Sequence, residues 1–202
     1  AFDQDLHGWD VTALTDATNM FAGIALSTPN YDALLMGWGA QALQNAVTFH
    51  GGNSTYCYSG IARTHMVESH AWNISDGGKS CPSNYDFAIV VQTDNLGTSS
   101  DAQFTIPTYP GEVYNYNVDC DGDGTDEMSG ASGNYTCIYD LAGTYTVRIK
   151  DNTAEGTGFP HIFFNNSGDK GKVMSIDQWG KGYWTSMAHA FHGCYNLSVQ
   201  AL

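Results

Sequence analysis

Basic residues are scarce in this chain. Seven Lys plus Arg stand against 21 Asp plus Glu, a formal charge of -14. The few cations (Arg63, Lys79, Arg148, Lys150, Lys170, Lys172 and Lys181) form no stripe that could release counterions from a phosphate backbone. The composition therefore argues against nucleic acid and against an anionic membrane surface as partners. No apolar run approaches the ~20 residues that span a bilayer, so membrane insertion is not expected. There is no C-x-x-C and no His at zinc-finger spacing, which leaves no structural zinc motif. Signatures of catalysis are missing too: no G-x-S-x-G elbow, no Cys-His pairing and no glycine-rich phosphate loop. The facing carboxylates of a glycosidase leave no sequence mark here, and the reading is of a protein that is not an enzyme, with no catalytic residue to name.

What is present begins with 42% hydrophobic residues, ample for a packed core. Strong acidity suits a secreted protein in a saline medium, where cations screen self-repulsion. Of five cysteines, Cys57 with Cys81 and Cys120 with Cys137 each close a short loop inside one expected domain. Both pairs are expected as disulfides, which implies an extracellular or cell-surface location. Cys194 is left over and reads as a small buried residue. His189 and His192 lie three apart on an expected helix, but no third ligand accompanies them, so they read as solvent-facing.

One stretch occurs twice. Thr15 to Gly23 and Thr185 to Gly193 align position for position, with Thr first, Phe seventh and Gly ninth. Such self-similarity marks repeats that stack, because one short unit cannot bury its apolar face alone. Phe2, Leu6, Trp9, Val11, Leu14, Met20 and Phe21 are spaced as a short strand, a turn and a short helix closed by Gly23. This resembles the BspA-like leucine-rich repeats of bacterial surface proteins, with Phe2, Gln4, Leu6, Trp9, Asp10, Val11, Leu14, Thr15, Met20 and Phe21 at matching positions. Tyr31, Leu34, Leu35 and Trp38 recur at helical spacing after Pro29, a second helix is expected over 61–69, and Trp72 to Ile74 reads as a strand. This block looks like the cap that closes a repeat array, stapled by Cys57 and Cys81.

From Asp86 the character changes to short strands: 87–92, 103–106, 114–118, 135–139, 143–150 and 160–164, separated by Gly, Pro, Asn and Asp turns. The D-G-D-G-T turn at 121–125 and the G-T-Y-T-V strand at 143–147 make this part similar to the polycystic-kidney-disease (PKD) fold, an immunoglobulin-like sandwich. After Gly168 a capping strand over 173–176 leads back into the repeat. The expected fold class is α+β, with leucine-rich-repeat solenoid pieces at both ends flanking a PKD-like antiparallel β-sandwich. Its divisions are 1–82 (repeat and disulfide-stapled cap), 84–167 (sandwich) and 168–202 (capping strand and repeat).

Asp119, Asp121, Asp123 and Glu127 surround Gly122 and Gly124 in the pattern that opens an EF-hand calcium loop, but the twelfth position is Gly130 rather than Glu. A weak calcium site and a structural turn with Asp side chains on backbone amides both stand. No other cofactor is implied. The chain begins and stops in mid-repeat, as expected of a mature piece of a longer precursor. Head-to-tail association of identical copies is expected through Ala1, Phe2 and Leu6 of one and Leu197, Val199 and Leu202 of the next, generating a filament. The resulting expectation is a non-enzymatic surface or adhesion protein, with a glycan- or host-protein-binding module of a larger adhesin as the alternative.

Overall fold

The computed structural model describes residues 2–153 and 155–198. The chain divides into two compact units, Ala1–Pro82 and Ser83–Leu202. Strand predominates over helix, and most strand pairing is antiparallel.

In the first unit, α1 (Thr28–Gly39) starts with Pro29 in its first turn, where proline's fixed φ suits a helix and its missing N–H costs nothing. Its face of Tyr31, Leu34, Leu35 and Trp38 is buried, and the helix stops at Gly39 with Ala40 as cap. Gly37 is required by packing: a Cβ there would collide with the carbonyl of His7. β1 (Thr48–His50) and β2 (Asn73–Ser75) pair in parallel, and Ala17 adds a parallel bridge to Phe49 on the other side of β1. α2 (Gly60–His70) lies between the two strands in sequence and ends at Ala71 in the left-handed region. Phe49 sits at the centre of the core, its ring 5.4 Å from Trp38, 6.0 Å from Phe21 and 6.2 Å from Trp72. Cys57 and Cys81 are bonded.

No helix forms over 15–23. Asn19 and Gly23 take positive φ, which breaks a right-handed helix twice, and the segment instead runs through successive turns. The same holds for 185–193, so His189 and His192 do not lie on a helix.

In the second unit, β3 (Phe87–Gln92), β5 (Tyr116–Asp119), β6 (Met128–Ala131), β8 (Thr144–Asp151) and β9 (Val173–Gln178) form one antiparallel sheet in the order β6-β5-β8-β3-β9. β4 (Gln103–Ile106) and β7 (Tyr135–Ile138) form a second, two-stranded sheet. Ile89, Val91, Phe104, Ile106, Tyr116, Val118, Val147 and Ile149, drawn from both sheets, share one core, an arrangement consistent with a β-sandwich. The bonded pair Cys120–Cys137 ties the end of β5 to β7 and so joins the sheets covalently. β3 lies between β8 and β9, and successive residues Phe87, Ala88 and Ile89 are all buried, so both of its faces are covered, which explains its nearly continuous apolar sequence.

Two expectations differ from the structure here. Residues 160–164 make only an isolated bridge, Thr108 to Ile162, because their backbone turns to residues 185–192 instead. Residues 168–202 are not a third body: β9 joins the sandwich sheet antiparallel to β3, while Trp184, Phe191 and Leu197 pack on the same core.

Candidate functional site: two coils with one neighbour each

The duplicated stretch adopts one conformation in both places. Asn19 and His189 both have φ 58°, and Gly23 and Gly193 are both left-handed. Met20 N donates to Ala17 O at 3.1 Å, as Ala190 N does to Met187 O at 3.2 Å. Ala22 N donates to Asn19 O just as His192 N does to His189 O, and Ile24 N to Phe21 O just as Cys194 N to Phe191 O. Even the opening turn is the same: Thr18 N donates to the Asp16 carboxylate and Ala188 N to the Ser186 hydroxyl.

Each copy lies alongside one further pass of chain, on opposite sides. In the first unit the neighbour follows in sequence: Ala17 N donates to Thr48 O, Phe21 N to His50 O, and Ile24 O accepts from Asn53 N. Two indoles reinforce the lateral contact, Trp38 Nε1 to Leu6 O at 3.0 Å and Trp72 Nε1 to Gln44 O at 2.8 Å. In the second unit the neighbour precedes: Thr185 N donates to Pro160 O, Ala190 O accepts from Phe164 N, and His192 O accepts from Asn166 N.

The unused groups are reciprocal. Thr15 N, Met20 O and Ala22 O, equivalent to three of the four groups that hold the preceding pass in the second unit, have no backbone partner among the described residues. Met187 N and Phe191 N, equivalent to the donors that hold the following pass in the first unit, have none either. Burial agrees. Ala17 is 7% exposed and Phe21 4%, whereas Met187 is 42% exposed and Phe191 only half-buried. Conversely Ala190 is buried while its equivalent Met20 is half-buried.

Of the residues expected to mediate self-association, Phe2 is exposed and stacks on Phe21 with 6.3 Å between ring centres. Leu6 is instead buried, because the neighbouring pass and Trp38 cover it, and it offers no contact surface. Leu197 is half-buried against the sandwich core. Ala1, Val199 and Leu202 lie outside the described residues. Trp38 and Trp72 are core, while Trp9 and Trp179 are exposed. Burial pushes the Cys194 thiol up to about 11 against the pull of Lys170, so it stays protonated at neutral pH and is a poor nucleophile.

The acidic turn brings Asp119, Asp121 and Glu127 together, with oxygens within 4.8 Å of one another, and leaves Asp123 outside that group. Asp119 is fully buried; its carboxylate accepts from Gly122 N at 2.7 Å and Gly124 N at 3.1 Å, and the Lys150 ammonium lies at 3.3 Å. Asp121 accepts from Asp123 N, Asp123 from Thr125 N, and Glu127 from Cys120 N at 2.6 Å. Every carboxylate of the motif thus caps an amide of the turn itself. A cation there would compete with those amides and with Lys150.

Buried carboxylates without a motif escaped the sequence, Asp32 and Asp169 among them. Asp32 accepts from Cys57 N, Ser59 N and the Ser59 hydroxyl, so it holds the chain entering α2 beside the disulfide. Asp169 accepts from Thr98 N, Ser99 N and Thr105 N, while buried Lys172 donates to carbonyls of Ser99, Ser100 and Gln103. Burial raises the Asp169 carboxyl, but the Ser99 and Thr105 donors and the Lys172 charge outweigh it and hold it below the usual carboxylate range. Among the described residues no helix is long and apolar enough to cross a membrane. No family model, curated protein or solved structure matches the chain.

Proposed function

We propose that the chain is a non-enzymatic surface protein acting by adhesion or assembly, built from BspA-like leucine-rich-repeat coils and a PKD-like sandwich. The observation that carries this reading is the duplicated coil: one backbone conformation recurs in both units, each time bonded laterally to another pass of the chain. A backbone that repeats its turns and pairs sideways is a stacking module, and its edges are made for joining. Two disulfides are consistent with an oxidising extracellular setting. Trp9 is exposed, and Trp179 keeps an exposed face while its ring packs on Phe87 and Phe191.

Hydrogen exchange tests the stacked-coil reading. In dilute protein the amides of Ala17 and Phe21, which are bonded to the following pass, exchange slowly, and those of Met187 and Phe191 exchange fast. Rapid exchange at Ala17 and Phe21 as well would refute the reading, since it would mean that the first copy is not laterally paired.

A further inference from the structure

We propose, resting on the adhesion reading, that a cleft in the second unit binds a neutral saccharide. Residues from three segments distant in the chain line a cavity of about 360 Å³: 111–115 ahead of β5, 153 and 157–160 after β8, and 183 and 185 at the entry to the second coil. That size is within the range of small-ligand sites.

The walls are joined to one another in a ring. Asn115 N donates to Gly158 O at 2.9 Å, Tyr183 N to Gly156 O at 2.8 Å and Thr185 N to Pro160 O at 3.0 Å. The Thr185 hydroxyl donates to the Glu112 carboxylate at 2.7 Å and closes the circuit. Asp151 holds the middle segment, accepting from Gly158 N at 2.6 Å and Gly156 N at 3.3 Å. Gly158 is required there, since a Cβ would collide with the Asn115 carbonyl. A cleft tied in this way is formed before its ligand arrives, which spares the cost of ordering loops on binding.

The lining decides the class of ligand. It contains one carboxylate, Glu112, and no Lys, Arg or His. In a chain of formal charge -14, an anionic ligand would be repelled and find no counter-charge. A wholly apolar ligand would strip water from Glu112, Asn115 and Thr157 without replacing its hydrogen bonds. A sugar ring meets both demands, with hydroxyls for the polar groups and a C–H face for an aromatic side chain.

Tyr183 supplies that side chain. Trp179 and Trp184 pack on Phe87, whereas Tyr183 makes no ring contact among the described residues and is 60% exposed. Its backbone is pinned to Gly156, so a large ring with a wet hydroxyl is held at the cleft in one place. Glu112 offers the strongest acceptor: one oxygen takes the Thr185 hydroxyl, and the other has no partner among the described residues and is left for a sugar hydroxyl. Hydrolysis of a glycosidic bond needs a second, facing carboxylate. The lining has none, so the ligand is held and not cleaved.

The test titrates the whole chain with cellobiose, lactose, mannobiose and chitobiose, read by amide chemical shifts, with choline as a cationic probe of the same carboxylate. At least one disaccharide is expected to bind with a Kd of ~1 mM and to shift the amides of Glu112, Asn115, Thr157 and Tyr183. Tyr183→Ala is expected to weaken that binding by about tenfold and Tyr183→Phe, which keeps the ring, to retain it. Glu112→Gln, which still accepts from Thr185, is expected to weaken it by about threefold through loss of the charged acceptor. Thr157→Arg, at an exposed position where the long side chain fills the cleft, replaces Tyr183→Ala should the latter lower the melting temperature. Binding of none of the four disaccharides, binding of choline alone, or disaccharide binding that survives both Tyr183→Ala and Thr157→Arg would each overturn the proposal. The sugars are recovered and analysed afterwards. Released monosaccharide would overturn the non-enzymatic reading and leave the site in place, whereas intact sugar that never bound removes the site and leaves that reading standing.

Discussion

Asp86 is buried beneath the start of β3, with the Arg148 guanidinium at 3.9 Å. Burial pushes its carboxyl up to about 6, even though Lys150 and Arg148 pull it down. An unfolded Asp titrates near ~3.9, so the folded state favours the protonated form. The stabilisation this gives is complete below about pH 4 and is lost as pH rises through about 6. Asp86→Asn removes the titration. Its melting temperature is expected to fall less than that of the wild type between pH 5 and pH 7, and parallel curves would show that Asp86 is not the group responsible. Asp169 shifts the other way, its carboxylate being held by amides and by Lys172, and its contribution is lost only in acid. Residues of this kind were invisible in the sequence. Asp119 announced itself through its Gly-spaced neighbours, but nothing around Asp32 or Asp169 distinguishes a buried carboxylate from a solvated one, because their amide partners lie 25 to 27 and 64 to 71 residues away in the chain.

Elements were legible where a local pattern decided them. The β-branched and aromatic runs at 87–92 and 103–106 give β3 and β4 with the expected bounds, and Pro29 with the apolar spacing that follows gives the start of α1. β6 was missed because M-S-G-A has little strand character and Gly130 is left-handed; the irregularity in its pairing with β5 is spanned by the Asn117 side chain, which accepts from Gly130 N and the Ser129 hydroxyl. A short helix closed by Gly23 was wrongly expected because the apolar spacing of a turn series imitates that of one helical turn. Only backbone signs at Asn19 and Gly23 separate the two. α1 also contains a glycine that propensity alone would call a defect. Gly37→Ala gains about 1 kcal/mol of helix propensity, yet the added methyl meets the His7 carbonyl, and overpacking costs about 1 to 3 kcal/mol. The variant is expected to be the less stable in urea, and a rise in its unfolding midpoint would mean that residues 6–9 yield easily.

At the scale of the whole molecule, the duplication was legible and the division of the chain was not. Alignment of Thr15–Gly23 with Thr185–Gly193 identified two segments that the structure gives the same turns, hydrogen bonds and φ signs. The sequence could not say that the second copy would share a core with the sandwich, since that depends on Trp184 packing against Phe87 and Phe159, far away in the chain. Equally hidden was which side of each coil is covered, a property of tertiary pairing that no local pattern encodes.

The position of β9 has a practical outcome for anyone cutting this chain. It is hydrogen-bonded to β3 along one flank, and Ser198 bridges to Ser175 in parallel, so the sandwich has no natural border at residue 167. A fragment spanning 84–167 would leave Phe87-Ala88-Ile89-Val90-Val91 with a bare flank, a short uncharged segment of the kind that recruits further strands into fibrous aggregates. Such a fragment is expected to precipitate and to bind thioflavin, while the piece extended through residue 202 stays dispersed; a clear, monomeric solution of the shorter fragment would mean that the flank protects itself.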